Sequence, residues 1–331
     1  MSRSCPDSPP LVSVIVPAYN AERWLERCLN SVVGQDYPAV ELIVVDDGST
    51  DATAAIIDDF ATRYDFVEAV HRPNGGSTEA RRTGFGRASG AWIQWLDADD
   101  ELLPGAIGDL VRKGEAEEAD IVAVPFVFCS EDGRREASAH VRFDRLSGTE
   151  YLGEILRQRA YWALWSNFHR RELLTDDIRF FPGIAIGEDC LTMIQLLMKD
   201  PTVVALDRPA LNYRIHAGSV THGGLAGRKK YRDLLFVYGF MREALARRGL
   251  EAHFGEELAE QECQLLYSGL CWGGIREVVR CGCRLQAFLG EHPRLAFRFS
   301  GRQLRFARAC SRCLWLGYAK ALFNRTAGRS W

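Results

Sequence analysis

Five acids crowd two short segments of this sequence, with a sixth, Asp51, at the end of the first. Asp46 and Asp47 lie in Val45-Asp46-Asp47-Gly48-Ser49-Thr50-Asp51, and Asp97, Asp99 and Asp100 in Leu96-Asp97-Ala98-Asp99-Asp100. Like charges this close repel unless a cation or hydrogen-bond donors offset them. The small Ala98 leaves room for a ligand, and carboxylate oxygens favour Mg2+ or Mn2+ over zinc. Asp51 and Asp100 read instead as turn formers and helix caps. A second segment is Asn74-Gly75-Gly76-Ser77-Thr78-Glu79-Ala80-Arg81-Arg82. Glycines ahead of a helix expose backbone N–H groups, a helix N-terminus favours anions, and Arg81 and Arg82 add positive charge. With a metal beside it, this is what a nucleotide diphosphate needs; a surface turn with solvated arginines is the plainer reading of the segment alone. Third, Gly187-Glu188-Asp189 precedes an apolar series, Leu191, Ile194, Leu197 and Met198. Acids at a helix start meet the helix dipole favourably. As catalysts they are set about 100° apart, so that one abstracts a proton while the other orients it or binds substrate.

The elements that must position these groups alternate between two periods. Residues 11–16 form an apolar, β-branched run ending at Pro17, the pattern of a buried strand. Asn20 is placed to cap a helix in which Trp24, Leu25, Cys28, Leu29 and Val32 share a face. Strands follow at 41–45, 66–70, 91–96 and 121–128, and helices at 51–64, 77–88 and 104–118. Strand, helix, strand at this spacing predicts right-handed crossovers and an α/β fold, a mainly parallel sheet with helices on both faces. In such a sheet ligands bind beyond the carboxyl ends of the strands, which is where the first two acidic segments fall. Residues 150–200 read as largely helical, and the chain from 229 onward as amphipathic helices. A boundary near residue 222 divides the chain into 1–222 and a helical, basic region, 223–331.

Composition narrows the classes. With 331 residues, 47% hydrophobic and 26% charged, the chain has an ordinary globular balance, which excludes disorder over its whole length. A net charge of -3 argues against a nucleic-acid clamp, and no nucleic-acid partner is expected. Residues 281–331 nevertheless hold 10 Lys/Arg against one acid, Glu291, so the rest of the chain carries -12. No apolar run reaches the roughly 18 residues a membrane span requires, and the N-terminal ten residues are polar. A cytoplasmic protein with reduced thiols is expected. Cys281-Gly-Cys283 is one residue short of a zinc knuckle, so it and Cys310-x-x-Cys313 read as thiols packed on helices. Gly84-Phe85-Gly86-Arg87-Ala88-Ser89-Gly90 imitates a dinucleotide fingerprint, but its third glycine is late and it follows a helix, so it reads as a helix end and turn.

The segments, in this order, resemble the family 2 inverting glycosyltransferases of the GT-A fold. The resemblance rests on Val14-Ile15-Val16-Pro17-Ala18-Tyr19-Asn20, on the two acidic segments, on Asn74-Gly75-Gly76 with Ala80-Arg81, on Trp165-Ser166-Asn167-Phe168-His169-Arg170-Arg171, on Gly187-Glu188-Asp189, and on Tyr213-Arg214-Ile215-His216 with Ser219-Val220-Thr221. It covers residues 11–222 and is nearest to the bacterial enzymes of capsule, exopolysaccharide and lipopolysaccharide synthesis. It implies that Pro17 and Tyr19 line a nucleobase pocket and that Asp47 accepts a hydrogen bond from the base, usually uracil. It further implies that Arg81 sits near the nucleotide, that Asp97 faces ribose and metal, and that Asp99 binds Mn2+ or Mg2+ at the diphosphate. Asp189 would be the catalytic base with Glu188 beside it, and His216 a further metal or diphosphate ligand. One position departs from the family: Arg82 stands where it commonly has asparagine.

The expected activity is transfer of a sugar from a nucleotide-diphosphate sugar, such as a UDP-hexose or UDP-N-acetylhexosamine, to a hydroxyl of a glycan or lipid-linked glycan acceptor. A sugar nucleotidyltransferase and an inactive nucleotide-binding scaffold are the rival readings; the first would need a glycine-rich phosphate loop near the N-terminus. In the basic region Arg294, Arg298, Arg302, Arg305, Arg308 and Arg312 recur at helical spacing among apolar and aromatic residues. That pattern suits a helix lying on an anionic membrane surface, at the inner face of the cytoplasmic membrane, or equally a solvated arginine face over a core-facing helix.

Overall fold

The computed structural model describes residues 8–138, 143–216, 227–272 and 275–298. They fall into two compact units, 1–219 and 220–331.

The first unit opens with strand β1 (Val12–Ala18), helix α1 (Leu25–Val33), β2 (Val40–Asp46), α2 (Thr53–Arg63), β3 (Val67–His71), α3 (Ser77–Phe85) and β4 (Trp92–Trp95). Next come β5 (Glu101–Leu102), α4 (Ala106–Ala116), β6 (Ile121–Ala123), β7 (Phe126–Ser130), β8 (Arg135–Ala137), β9 (Leu146–Ser147) and α5 (Gly148–Leu156). The unit closes with β10 (Asn167–Arg170), α6 (Glu188–Leu197), β11 (Thr202–Ala205) and β12 (Leu211–Ile215). An eight-stranded sheet has the order β3-β2-β1-β4-β10-β6-β11-β9. Its first four strands are parallel, with β1 between β2 and β4. The run in β1 is buried along almost its whole length, as both-face coverage requires. A smaller sheet, β5-β12-β7-β8, brings the end of β12 next to the turn after β4.

Three expectations are corrected. Asn20 does not cap α1: Trp24 holds that position, and Asn20 adopts φ 49° four residues earlier. Its backbone N–H instead donates to Ser49 Oγ (3.0 Å), and its Oδ1 accepts the N–H of Thr50 (2.8 Å), tying the end of β1 to the loop after β2. The single strand read over 121–128 is two, β6 and β7, in different sheets; Pro125, which has no N–H for a ladder, stands at the break. The region 150–200 is less helical than its pattern, because β10 runs antiparallel between β4 and β6. Its Asn167, His169 and Arg170 look like loop residues, yet all three are buried. Asn167 donates to the carbonyls of Tyr161 and Ala163 and accepts from the Tyr151 hydroxyl, and Trp95 Nε1 donates to His169 Nε2 at 2.9 Å. Burial lowers the His169 imidazole to about 4, which keeps it neutral.

The glycines of the false fingerprint serve packing. A Cβ on Gly84 would lie 2.5 Å from Ile15 Cγ2, so glycine lets α3 lie directly on β1.

In the second unit, α7 (Gly227–Arg247), α8 (Gly255–Trp272) and α9 (Ile275–Glu291) bury Cys263, Leu270, Val278, Cys281, Leu285 and Phe288 among them. Cys281 is therefore a packed core thiol. Residues 217–226, where the sequence places its boundary, and 299–331, with most of the basic face and Cys310 and Cys313, lie outside the described residues.

Candidate active site

The carboxyl ends of β1, β2 and β4 lie side by side, so the chain just beyond each shares one edge of the sheet. Near the end of β1, Pro17 is half-buried, and just beyond the strand Tyr19 is 52% exposed, an aromatic face at that edge. At the end of β2, Asp46 accepts the Ser49 N–H at 2.9 Å and faces His71 Nδ1 at 3.2 Å. Asp47 is buried, and its backbone N–H donates to the Ala18 carbonyl at 2.8 Å. Its carboxylate accepts from the Arg72 guanidinium, from Gly75 N (3.1 Å) and from Gly76 N (2.7 Å). Asp47 thus anchors the loop that leads into α3. Gly48 makes this possible: its φ is +74°, and a Cβ there would lie 2.7 Å from Asn74 N. Arg72 gave no sequence signal beyond its charge.

Beyond β4, ligand atoms of Asp97, Asp99 and Asp100 all lie within 4.8 Å of one another. Asp100 was expected to act as a turn former. Its N–H does donate to the Asp97 carbonyl at 2.9 Å, but its side chain is 1% exposed and belongs to the acidic cluster. Its Oδ1 accepts the Arg214 N–H at 2.8 Å, and its Oδ2 is buried without a partner. Burial, reinforced by Asp99 and Asp97, pushes the Asp100 carboxyl well up. Burial and the Asp97 charge likewise raise Asp99, against the opposing pull of His216. Three crowded carboxylates, one with an orphaned oxygen, fit a hard divalent cation, which would offset the repulsion that raises Asp99 and Asp100. His216 Nε2 is 2.9 Å from Asp99 Oδ2, and its ring packs on Trp24 with centroids 5.0 Å apart. Trp24, read from the sequence only as a helix-face residue, also carries the Arg23 and Arg214 guanidinium groups on its ring.

Arg81 is 5% exposed in the second turn of α3. Its Nη2 donates to Asp97 Oδ1 at 3.0 Å, and its Nη1 to Asp189 Oδ1 at 2.9 Å and Glu188 Oε1 at 3.4 Å. The two acids at the start of α6 therefore converge on one guanidinium. Gly187, at φ +85°, turns the chain into that helix. The second oxygen of Asp189 accepts the Leu164 N–H at 3.1 Å, a contact no side-chain pattern reveals. Burial raises the Asp189 carboxyl; Arg81 opposes this and Asp97 adds to it. Glu188 is pushed up to about 7 by burial and by the Asp189 charge, with Arg81 opposing. The unusual Arg82 is exposed and pairs with Glu79 at 2.7 Å, one turn back on α3.

A mainly parallel α/β sheet that gathers a cation-fitting acidic turn and a half-buried, donor-held carboxylate at its carboxyl edge is the architecture of the GT-A glycosyltransferases. The chain belongs to the family described as glycosyl transferase family 2, whose model matches residues 13–183. It is similar to the uncharacterized glycosyltransferase EpsJ of Bacillus subtilis (strain 168), 32% identical over 217 residues, 64% of this chain and 63% of that protein. It thus spans less than two thirds of that relative's length. In fold it is similar to S. aureus TarS 1–349 in complex with UDP-GlcNAc, with a TM-score of 0.63, 19% identity, and coverage of 97% of this chain and 93% of that one. The mannosyltransferase PcManGT from Pyrobaculum calidifontis, in complex with GDP-Man and Mn2+, gives a TM-score of 0.51 at 17% identity, covering 96% of this chain and 88% of that one. At those identities the likeness is one of fold.

Proposed function

We propose that this chain is a metal-dependent, inverting glycosyltransferase that moves a sugar from a nucleotide-diphosphate sugar, a UDP-sugar in the first instance, to a hydroxyl of a growing surface glycan or a lipid-linked acceptor. The observation that carries the proposal is Asp189: a half-buried carboxylate, held at both oxygens, that Arg81 links to the acidic turn. Tyr19 and Pro17 offer the base an aromatic face and an apolar edge, and Asp47 serves the base by fixing the loop at 72–76. Asp97 and Asp99, with His216 on Asp99, would hold Mn2+ or Mg2+, which supplies positive charge to the leaving diphosphate. Asp189 takes the proton of the acceptor hydroxyl. The oxygen attacks the anomeric carbon from the face opposite the diphosphate, the bond to the diphosphate breaks, and the configuration inverts in one displacement. A carboxyl raised by burial is a stronger base near neutral pH than an ordinary one. Glu188, pushed up to about 7, is protonated in part near neutrality, and in that form it can donate a hydrogen bond that orients the acceptor. The acidic turn and the absence of a glycine-rich phosphate loop near the N-terminus favour transfer over nucleotidyl transfer.

Calorimetric titration with UDP and GDP, with Mn2+, with Mg2+ and with a chelator, tests the donor half. Metal-dependent nucleotide binding that Asp99→Asn abolishes is expected. Binding indifferent to chelation and to that substitution contradicts the metal assignment.

A further inference from the structure

The Arg81 guanidinium joins two segments that the sheet does not otherwise connect. Asp97 lies in the turn after β4 and Asp189 in the first turn of α6, and both are among the acids at this end of the sheet. Their charges repel, as the upward push of Asp97 on Asp189 records. One planar fork holds them together: Nη2 on Asp97 at 3.0 Å and Nη1 on Asp189 at 2.9 Å. The fork itself is fixed. Arg81 is 5% exposed, and its helix is seated on β1 through Gly84, where no larger residue fits without displacing Ile15. With Leu164 N–H on its other oxygen, Asp189 is pinned at both oxygens, so its orientation follows from where Arg81 stands.

From this geometry we infer that Arg81 is a positioning residue for the proton-accepting carboxylate: its two-pronged guanidinium sets the orientation of Asp189 and its spacing from Asp97, and its chief role is this rather than holding the nucleotide. The inference rests on the proposed transfer reaction. It explains why an arginine stands here. A lysine ammonium would neutralise one acid as a point charge but could not span two carboxylates with parallel N–H bonds.

Arg81→Met removes the charge and leaves three half-buried acids without that counterion, so it can fail on folding alone. Arg81→Lys keeps the charge and removes only the fork, and it is the deciding variant. Its melting temperature is recorded first. Its nucleotide dissociation constant and its rate at saturating donor are then measured alone and combined with Asp189→Asn. Nucleotide affinity within about threefold of the parent, a rate at least about tenfold lower, and a double variant no slower than Asp189→Asn alone are expected, because the lysine then damages only what Asp189 does. Independent, multiplying losses in the double variant overturn the inference, and so does weakened nucleotide binding with an unchanged saturated rate. Failure of the underlying reading looks different: the unmodified protein releases no nucleotide from any sugar donor.

Discussion

The indole ring of Trp24 lies 5.0 Å, centroid to centroid, from the imidazole of His216, whose Nε2 stands 2.9 Å from Asp99. The connection after β1 thereby sets the orientation of a histidine that follows β12, almost two hundred residues later in the chain. Arg214 packs on the same indole and bonds to Glu101, so the stack is held from both sides. Residues that orient a ligand typically contribute about 10–100-fold to metal affinity. Trp24→Ala is accordingly expected to raise the Mn2+ concentration needed for half-maximal nucleotide binding by about tenfold. The check is a metal titration followed by calorimetry, and an unchanged midpoint contradicts the role.

Asp189→Asn is nearly isosteric and cannot accept a proton. Its turnover should fall by roughly 10²–10⁴, with nucleotide affinity retained. In the parent, activity should decline on the acid side at a pH nearer neutrality than an ordinary carboxylate gives, since burial raises both Asp189 and Glu188 and the base must be ionised. The two titrate as a pair, so the limb belongs to both. A rate profile flat down to about pH 5 would count against the assignment.

Asp47→Ala removes the acceptor shared by Arg72, Gly75 and Gly76. Donors left unpaired in a buried site cost about 1–3 kcal/mol, so chemical denaturation should show a loss of that order. Nucleotide affinity should weaken in parallel, because the loop ahead of α3 loses its anchor. Lost affinity with unchanged stability would instead indicate direct contact between Asp47 and the base.

His71 lies between Asp58, at 3.0 Å, and Asp46, at 3.2 Å, and these two acids raise its pKa above 6.5. A group raised on folding stabilises the fold fully below its unfolded value, and that contribution disappears as the pH climbs through the folded value. The melting-temperature gap between the parent and His71→Gln should therefore be wider at about pH 6 than at about pH 9. The imidazole is 42% exposed, so screening keeps the effect small. A gap that widens with rising pH would reverse the assignment.

Among the described residues, no helix is long and apolar enough to cross a membrane. The basic region 293–331 is proposed to hold the enzyme on an anionic surface, at the cytoplasmic face where a lipid-linked acceptor would lie. Each cation near such a surface contributes about 1 kcal/mol, screened by salt. Co-sedimentation should show salt-sensitive binding to anionic liposomes, none to neutral ones, and loss of binding on removal of 293–331 from a protein that still melts cooperatively. Equal binding by the folded truncated protein refutes the proposal.

Much of this was legible because the parallel half of the sheet writes itself in period: apolar runs for β1 and β2, helical spacing between them, acids at their ends. What stayed hidden depends on neighbours distant in the chain. The polar residues of β10 become strand residues only because Tyr151, Trp95 and two carbonyls satisfy them. Asp100 looks like its neighbours in sequence, and only the Arg214 amide arriving from β12 reveals it as buried. Arg81 was legible as a charge near the phosphates. That it serves three acids at once required α6 to be brought alongside α3, which no local spacing encodes.

The most direct test of the account is release of nucleoside diphosphate from a panel of UDP- and GDP-sugars, in the presence of Mn2+ or Mg2+ and a glycan or lipid-linked acceptor, comparing the parent with Asp189→Asn. The account predicts metal-dependent release from one donor by the parent and its near loss in the variant, with nucleotide still bound. Release at equal rates by both proteins, or none by the parent from any donor although nucleotide binds, would contradict it.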